Sequence, residues 1–399
     1  MNRKTSLALQ TMNALFKHRE SILQEYDGSL PLALFLKQYF RKFPVLGSRD
    51  RRLISSMLYS HFRAAKTLPK FENLETEIAA ELILCEQDGN EHHRLLGEIT
   101  ATAENADLKA RVKHLKDAGI KVDLKALLVK KQEFSDGISK DDWVSSLLSR
   151  TAVFIRVSPN SMHDVDRKLK KAGIEAVELE NRILKFKQGR QLDQVLDSKS
   201  FRVQDYSSQK TMNFFPDIQP KLVWDVCSGA GGKALLISEK YPETDLIVSD
   251  VRKSILQSLA TRFELYGREV PVQQIIDLTN LAEGFDPLAG QKAELIVCDV
   301  PCSGSGTWGR TPEDAYFFDE NSMTEFNDKQ LKIASTAAKY ISKDGYFIYI
   351  TCSIFKSENE DIVAKLIAES GLKLETQQVI NGTKHQADTL FIAVLKADN

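Results

Sequence analysis

Apolar residues recur along this chain with two periods, and the change of period divides it. From residue 1 to 150 they fall three and four apart, the spacing of amphipathic helices. Leu30, Leu32, Leu34, Phe35 and Phe40 precede a break at Pro44 and Gly47. Leu53, Ile54, Met57, Leu58 and Phe62 then resume the pattern, with Ser48 placed as N-cap. Further helices are expected at 74–84, 93–103 and 106–116. From Val153 the period becomes two: VFIRV reads as a strand, 164–172 as a basic helix ending at Gly173, and AVELENRILKF as two strand-like pieces. A small βαβ-type module fits that order. Beyond Phe201, short apolar runs alternate with helices, as in a parallel sheet. Strands are expected at 222–226, 246–249, 272–276, 295–298 and 346–350, with 390–395 closing the sheet. Helices are expected at 233–240, 253–266, 324–341 and 358–370. The implied domains are 1–150, all helical; 151–220, a small α+β module; and 221–399, an α/β domain.

Composition narrows the class. With 42% hydrophobic and 27% charged residues over 399 positions, the chain is an ordinary globular one with room for several domains. No apolar run approaches the ~20 residues of a membrane span, and the N-terminus lacks the apolar core and cleavage site of a signal peptide. Cys85, Cys227, Cys298, Cys302 and Cys352 are odd in number and lack metal-finger spacing. Free thiols in a reducing cytoplasm are therefore expected, with no disulfide framework and no metal. The net charge of −1 hides an asymmetry. Arg41, Lys42, Arg49, Arg51, Arg52, Arg63 and Lys66 form a basic stretch, followed by Glu72, Glu75, Glu77, Glu81, Glu86, Asp88 and Glu91. The basic stretch is read either as a patch that tracks phosphates or as a solvated helix face. The small module carries Arg167, Lys168, Lys170 and Lys171 on its helix but shows no aromatic pair of the sort that stacks bases. It stands open between an RNA platform and a linker domain.

The candidate chemistry collects at strand ends. In DVCSGAGGK a buried strand runs into Gly229, Gly231 and Gly232 before a helix starts. Such glycines admit a ligand to the helix N-terminal N–H groups. Asp250 ends the next strand, where an acid suits ribose hydroxyls, so the stretch reads as a site for an adenosine-containing cofactor. Asp250, Asp277, Asp299 and Thr351 all follow strands, at the edge where open α/β sheets bind ligands. LIVCDVPCSGSGTWGR delivers Asp299 and Cys302, with Ser303, Gly304, Ser305 and Gly306 leaving room for a planar substrate. YFIYITCSIF delivers Cys352 at a neighbouring tip. Two cysteines beside a cofactor site point to thiol chemistry on the substrate, whereas Cys85 and Cys298 read as core.

These pieces resemble the RsmB/Nop2/Sun family of S-adenosylmethionine-dependent RNA cytosine-5 methyltransferases. The matching segments are VQDYSSQ, DVCSGAGGK, CDVPCSGSGTW, the Gln330 helix and YITCSIFKSENED, all in the C-terminal half. GSRDRRLISSMLYSHFR is more loosely similar to the NusB-like helical domain of some members, and 153–220 occupy the place of their RNA-recognition module. The resemblance implies a Rossmann-like class I methyltransferase domain acting on RNA, most simply ribosomal RNA; a monomer is expected. It makes Cys352 the nucleophile toward ring carbon 6 of cytosine, and makes Cys302 the aid to carbon-5 proton removal and adduct release. Asp299 would hold the pyrimidine near N3, and Lys233 would lie close to the base. For the cofactor it implies Asp250 at the ribose and Asp277 at the adenine. Cys227, Ser228, Gly229, Ala230, Gly231, Gly232 and Lys233 would line the methionine end, with Asp299 nearby.

Physical chemistry reaches the same place. Cytosine carbon 5 is a poor nucleophile, and thiolate addition next door splits one hard step into two easier ones. The base must also be unstacked, which favours RNA loops over intact duplex. Three departures from the family pattern are expected to matter. Ala230 replaces a proline and should loosen the glycine turn; the arginine usual four or five residues after the ribose acid is absent, with Arg252 offset; and VFIRVSPN only approximates the usual strand. They keep open a second reading, an RNA-binding ribosome-assembly factor with a vestigial cofactor pocket. A third, a nicotinamide dehydrogenase on the same glycine turn, leaves the cysteine pair without a purpose.

Overall fold

The computed structural model describes residues 3–85, 107–180, 182–186 and 192–398; the helix expected at 93–103 lies outside them. Chain contacts separate two compact units. One comprises Met1–Lys130, Ser139–Arg150 and Trp308–Asp319; the other Lys131–Ile138, Thr151–Thr307 and Glu320–Asn399.

The first unit is helical. Leu32–Lys42, Ser48–Ala64 and Leu74–Leu84 follow a long N-terminal helix, and Leu36, Tyr39, Leu53, Ile54, Leu58, Phe62 and Ile78 share one core. Ser48 is not the cap. Gly47 takes that place, its N–H donating to the Asp50 carboxylate at 3.0 Å, and Ser48 begins the helix. The short helix Pro312–Phe317, which no apolar period announces, sets Tyr316 against Phe62 (ring centroids 5.3 Å) and Phe317 against Tyr26 (5.7 Å). His61, Glu77 and Glu81 come together as a metal site would, but the buried Arg19 guanidinium lies among them at 3.0, 2.8 and 2.9 Å. The arginine is the cation those carboxylates hold.

In the second unit, β1 (Val153–Val157), β2 (Val177–Glu180), β3 (Ile183–Phe186) and β4 (Phe201–Val203) form a sheet of order β2-β3-β1-β4. Every neighbour is antiparallel, so the expected βαβ unit is split, with β3 between β1 and β2. Helix Met162–Lys171 covers it through Val165 and Leu169. Its basic face is largely compensated on the helix itself: Arg167 and Lys168 pair with Asp164, and Lys170 with Asp166.

The large sheet holds β5 (Leu222–Asp225), β6 (Asp245–Asp250), β7 (Val272–Ile275), β8 (Ala293–Asp299), β9 (Ile341–Thr351), β10 (Lys373–Asn381) and β11 (Thr389–Lys396). Its order is β10-β11-β9-β8-β5-β6-β7, parallel except for β11. β5 is buried throughout and β8 nearly so, because helices cover both faces; that is why they read as unbroken apolar runs. The apolar run ending the chain does not close the sheet. β11 lies inside, antiparallel to β9 and β10, and β10 is the edge. KLETQQVIN is mostly exposed, so it carries no apolar signal that would mark it as a strand. Strand order reverses between β5 and β8, which opens a crevice at their C-terminal ends.

Residues 131–138 belong to this unit although helical sequence flanks them. The Ser135 N–H donates to the Ile354 carbonyl (2.8 Å) and the Lys356 N–H to that of Glu133 (2.9 Å), strapping the loop that follows β9.

Candidate active site

The turn after β5 needs backbone that other residues resist. Gly229 has φ +51° and Gly231 φ +80°, and a Cβ on Gly231 would lie 2.7 Å from Leu259 Cγ. At Gly229 a Cβ would meet nothing within 4 Å; that face is open. Ala230 does not leave the turn loose. Its carbonyl accepts from Arg262 Nη1 (3.2 Å), the Gly231 N–H donates to Ser228 (3.0 Å), and Gln204 Nε2 holds the Gly232 carbonyl (3.1 Å). Ser228 Oγ donates to the Ser249 carbonyl at 3.2 Å, tying the turn to β6.

Two acids, Asp250 and Asp225, border the turn and a third, Asp277, follows β7; each is in a different state. Asp250 is nearly buried and accepts from the Gly229 N–H (3.2 Å) and from Arg252 N, Nε and Nη2 (2.9, 3.0 and 3.0 Å). Burial works to raise its pKa, yet these donors hold it below the ordinary carboxylate value. Arg252 thus supplies the guanidinium that sequence spacing left in doubt. Asp277 is exposed and caps its own turn, accepting from Thr279 N (2.9 Å) and Oγ1 (2.6 Å). Asp225, at the end of β5, is wholly buried, and neither oxygen has a hydrogen-bond partner. Burial first, then the Asp299 charge, push its pKa up to about 8; the Cys227 N–H leans toward it without completing a bond. Cys227 is half-buried beside it, its thiol pushed up by burial and by the same carboxylates.

Across the crevice, Lys233 Nζ bonds Asp299 Oδ2 at 2.5 Å. Burial alone would lower the lysine's pKa, but the charge and hydrogen bond of Asp299, with Cys352 nearby, raise it. It stays an ammonium. Cys302 and Cys352 place their sulfurs 3.2 Å apart, both half-buried, and the remaining cysteines Cys85 and Cys298 are core residues as expected. The hydrogen bond to Cys352 and then burial raise the Cys302 pKa well above that of a free thiol.

Of the small residues after Cys302, Ser305 and Gly306 serve a different end from the one their size implies. A Cβ on Gly306 would stand 1.9 Å from the Thr389 carbonyl oxygen, and Ser305 is wholly buried. Gly306 admits backbone, not substrate: its N–H donates to Cys352 O and its carbonyl accepts from Thr389 N–H, both at 2.9 Å. Beneath lies Glu358, to which the sequence reading assigned no role. It is fully buried and accepts from Ser303 N (2.8 Å), Ser303 Oγ (2.5 Å), Gln330 Nε2 (2.8 Å) and Ser353 Oγ. Asn359 follows, bonding Thr351 Oγ1 (2.5 Å) and the Ser353 carbonyl (3.0 Å). Nothing in the spacing of SENED marks these two as buried; only the convergence of β8, β9 and the Gln330 helix does.

The residues facing the crevice suit an adenosine-containing cofactor. The open glycine face admits it, Asp250 offers its carboxylate at the next strand tip, and the orphaned Asp225 carboxyl awaits a donor. A seven-stranded sheet of this order with these strand-tip groups defines a Rossmann-like methyltransferase fold. Residues 211–396 match the family model described as 16S rRNA methyltransferase RsmB/F.

Curated relatives agree. Ribosomal RNA small subunit methyltransferase B of Salmonella arizonae is 29% identical over 157 residues, 39% of this chain and 36% of that protein. Its namesake from Photorhabdus laumondii is 26% identical over 176 residues, 43% of this chain and 39% of the relative. The aligned part thus spans under two-fifths of each relative's length. Among solved structures, PH0851 covers 90% of this chain and 93% of its own at TM-score 0.64 and 19% identity. NSun6 from Pyrococcus horikoshii covers 64% and 93% at TM-score 0.55 and 17% identity. Those two likenesses concern the fold. Among the described residues no helix is long and apolar enough to cross a membrane.

Proposed function

We propose that this protein methylates carbon 5 of a cytosine in RNA, through a covalent bond between Cys352 and the base, with S-adenosylmethionine as methyl donor. The observation that carries the reading is the 3.2 Å approach of two cysteine sulfurs beside the Lys233–Asp299 pair. The two sulfurs share a hydrogen bond, and the nearby Lys233 ammonium is a counter-charge for the Cys352 sulfur as it attacks. The Cys352 sulfur adds to carbon 6 and makes carbon 5 electron-rich. Asp299, oriented by Lys233, receives the pyrimidine edge near N3 and steadies charge as the adduct forms. When bound, S-adenosylmethionine supplies an electrophilic methyl group to carbon 5. Once the Cys352 sulfur is tied to carbon, the contact that most strongly keeps the proton on Cys302 is lost. Cys302 then passes its proton to solvent, and its thiolate takes the carbon-5 proton as the C5=C6 double bond re-forms and the Cys352 sulfur leaves carbon 6 with its electron pair. Asp250 would hold the ribose, Asp277 the adenine side, and the 227–233 turn the methionine end. The relatives' names make ribosomal RNA the substrate class of choice.

The test is direct. Cys352→Ala should lose methyl transfer by at least about 10³-fold, while Cys302→Ala should accumulate an RNA–protein adduct that survives denaturing electrophoresis. Full activity in Cys352→Ala would overturn the assignment. Calorimetry with S-adenosylmethionine decides against the assembly-factor alternative if heat is released and for it if none is. Bisulfite sequencing of RNA from a deletion strain and its parent would locate the cytosine.

A further inference from the structure

The small sheet carries no pair of stacking aromatics on its own strands, but the fold assembles one beside it. Tyr206, between β4 and β5, meets His385, from the turn between β10 and β11, with ring centroids 4.8 Å apart and planes tilted by 52°. Both are half-buried; the fully buried Phe154 of β1 backs the tyrosine at 5.9 Å. We propose that this pair is a stacking platform for an unpaired base of the RNA close to the target cytosine.

The pair is preformed. Tyr206 Oη donates to Glu180 (2.7 Å), and Lys210 Nζ bonds both oxygens of that carboxylate (2.9 and 2.8 Å). The turn carrying His385 is held as closely. Ser207 Oγ donates to the Asp388 carbonyl (2.7 Å), Asp388 N to Asp205 Oδ2 (3.1 Å), and Ala152 N to the Gln386 carbonyl (2.9 Å). A Cβ on Gly382 would stand 2.0 Å from the Asp388 carbonyl oxygen, so the turn closes on itself. Rings fixed in advance lose little freedom when a base stacks on them.

Position and charge select the occupant. Asp388, which anchors Tyr206's neighbour, precedes Thr389, whose N–H bonds Gly306, whose own N–H bonds the Cys352 carbonyl. The platform is therefore joined to the proposed nucleophile by a short run of backbone hydrogen bonds. Lys210, 5.9 Å over the Tyr206 ring, and the exposed Lys384, next to His385 in sequence, bring two ammonium groups to the pair. Flat rings, ammonium groups and a pyrimidine-directed sulfur nearby fit a single-stranded nucleotide. The inference rests on the RNA reading above.

The experiment uses the full chain and fluorescein-labelled single-stranded RNA with one cytosine, followed by anisotropy. Tyr206→Ala/His385→Ala should weaken binding about tenfold, with the calorimetric response to S-adenosylmethionine unchanged as a check on folding. Tyr206→Phe, which keeps the ring and loses the bond to Glu180, should lose only part of the affinity that the double variant loses. An abasic nucleotide moved along the RNA should cost the wild-type protein about tenfold at one position beside the cytosine, and cost the double variant nothing there. Undiminished binding by the double variant, or an abasic penalty that it retains in full, overturns the platform alone. A wild-type protein that binds no RNA overturns the functional reading with it.

Discussion

Two loops of small residues meet at one edge of the large sheet, each over a buried carboxyl group, and they are built in opposite ways. The loop after β8 lies over Glu358, which four donors satisfy; Gly306 in that loop is pressed against backbone. The loop after β5 lies over Asp225, which no donor satisfies, and Gly229 in it faces open space. The protein completes the first loop with its own groups, and so fixes the cysteines to within bonding distance. It leaves the second with a free face, which a ligand can use. A reacting centre needs fixed geometry before the substrate arrives, whereas a cofactor site needs donors and acceptors not already consumed.

The largest effect expected from this contrast is on pH dependence. Asp225 has a pKa raised from 3.8 to about 8 by burial and by Asp299. Folded protein therefore keeps a proton that the unfolded chain releases, so stability falls as pH rises through that window. The slope is roughly 1.4 kcal/mol per pH unit between about 4 and 8. Asp225→Asn, neutral in both states, should remove that slope and be several kcal/mol more stable than wild type at pH 8. Chemical denaturation at pH 5 and pH 8 measures it. Equal slopes in the two proteins would mean that Asp225 is not a buried, protonated acid.

Next comes Gly306→Ala. The new methyl would lie 1.9 Å from a carbonyl oxygen already held by a strand, so backbone must move on both sides. A loss of at least about 3 kcal/mol is expected. The displaced Cys352 should also turn over RNA far more slowly than wild type at a temperature where the variant is folded. Wild-type stability would show that the two loops are not differently built.

Much of this was legible beforehand, for identifiable reasons. Strands buried on both faces, such as β5 and β8, betray themselves by unbroken apolar runs, and Asp299, Cys302 and Cys352 follow directly from where those runs end. β10 was not legible, since an edge strand with exposed side chains, KLETQQVIN, has nothing to bury. Ser303, Ser305 and Gly306 are small, and size alone does not say whether ligand or backbone occupies the room; here it is the Thr389 carbonyl. Glu358 and Asn359 look like the solvated start of a helix, and their burial depends on Gln330, Ser303 and Ser135, distant in sequence. Arg252 stands two residues from Asp250, nearer than the family spacing, yet its side chain folds back onto that acid.

The smallest effect separates the loops most cleanly. Gly229 also sits at positive φ, +51°, so an alanine there strains the backbone, at about 1 kcal/mol. No neighbour obstructs its methyl, and stability should fall by a third or less of the loss at Gly306. The methyl does, however, project from the glycine turn on the face read as the cofactor's. Gly229→Ala should therefore bind S-adenosylmethionine several-fold more weakly by calorimetry while melting close to wild type. A variant that melts as low as Gly306→Ala, or that binds the cofactor unchanged, would show that the open face of this turn is not where a ligand lies.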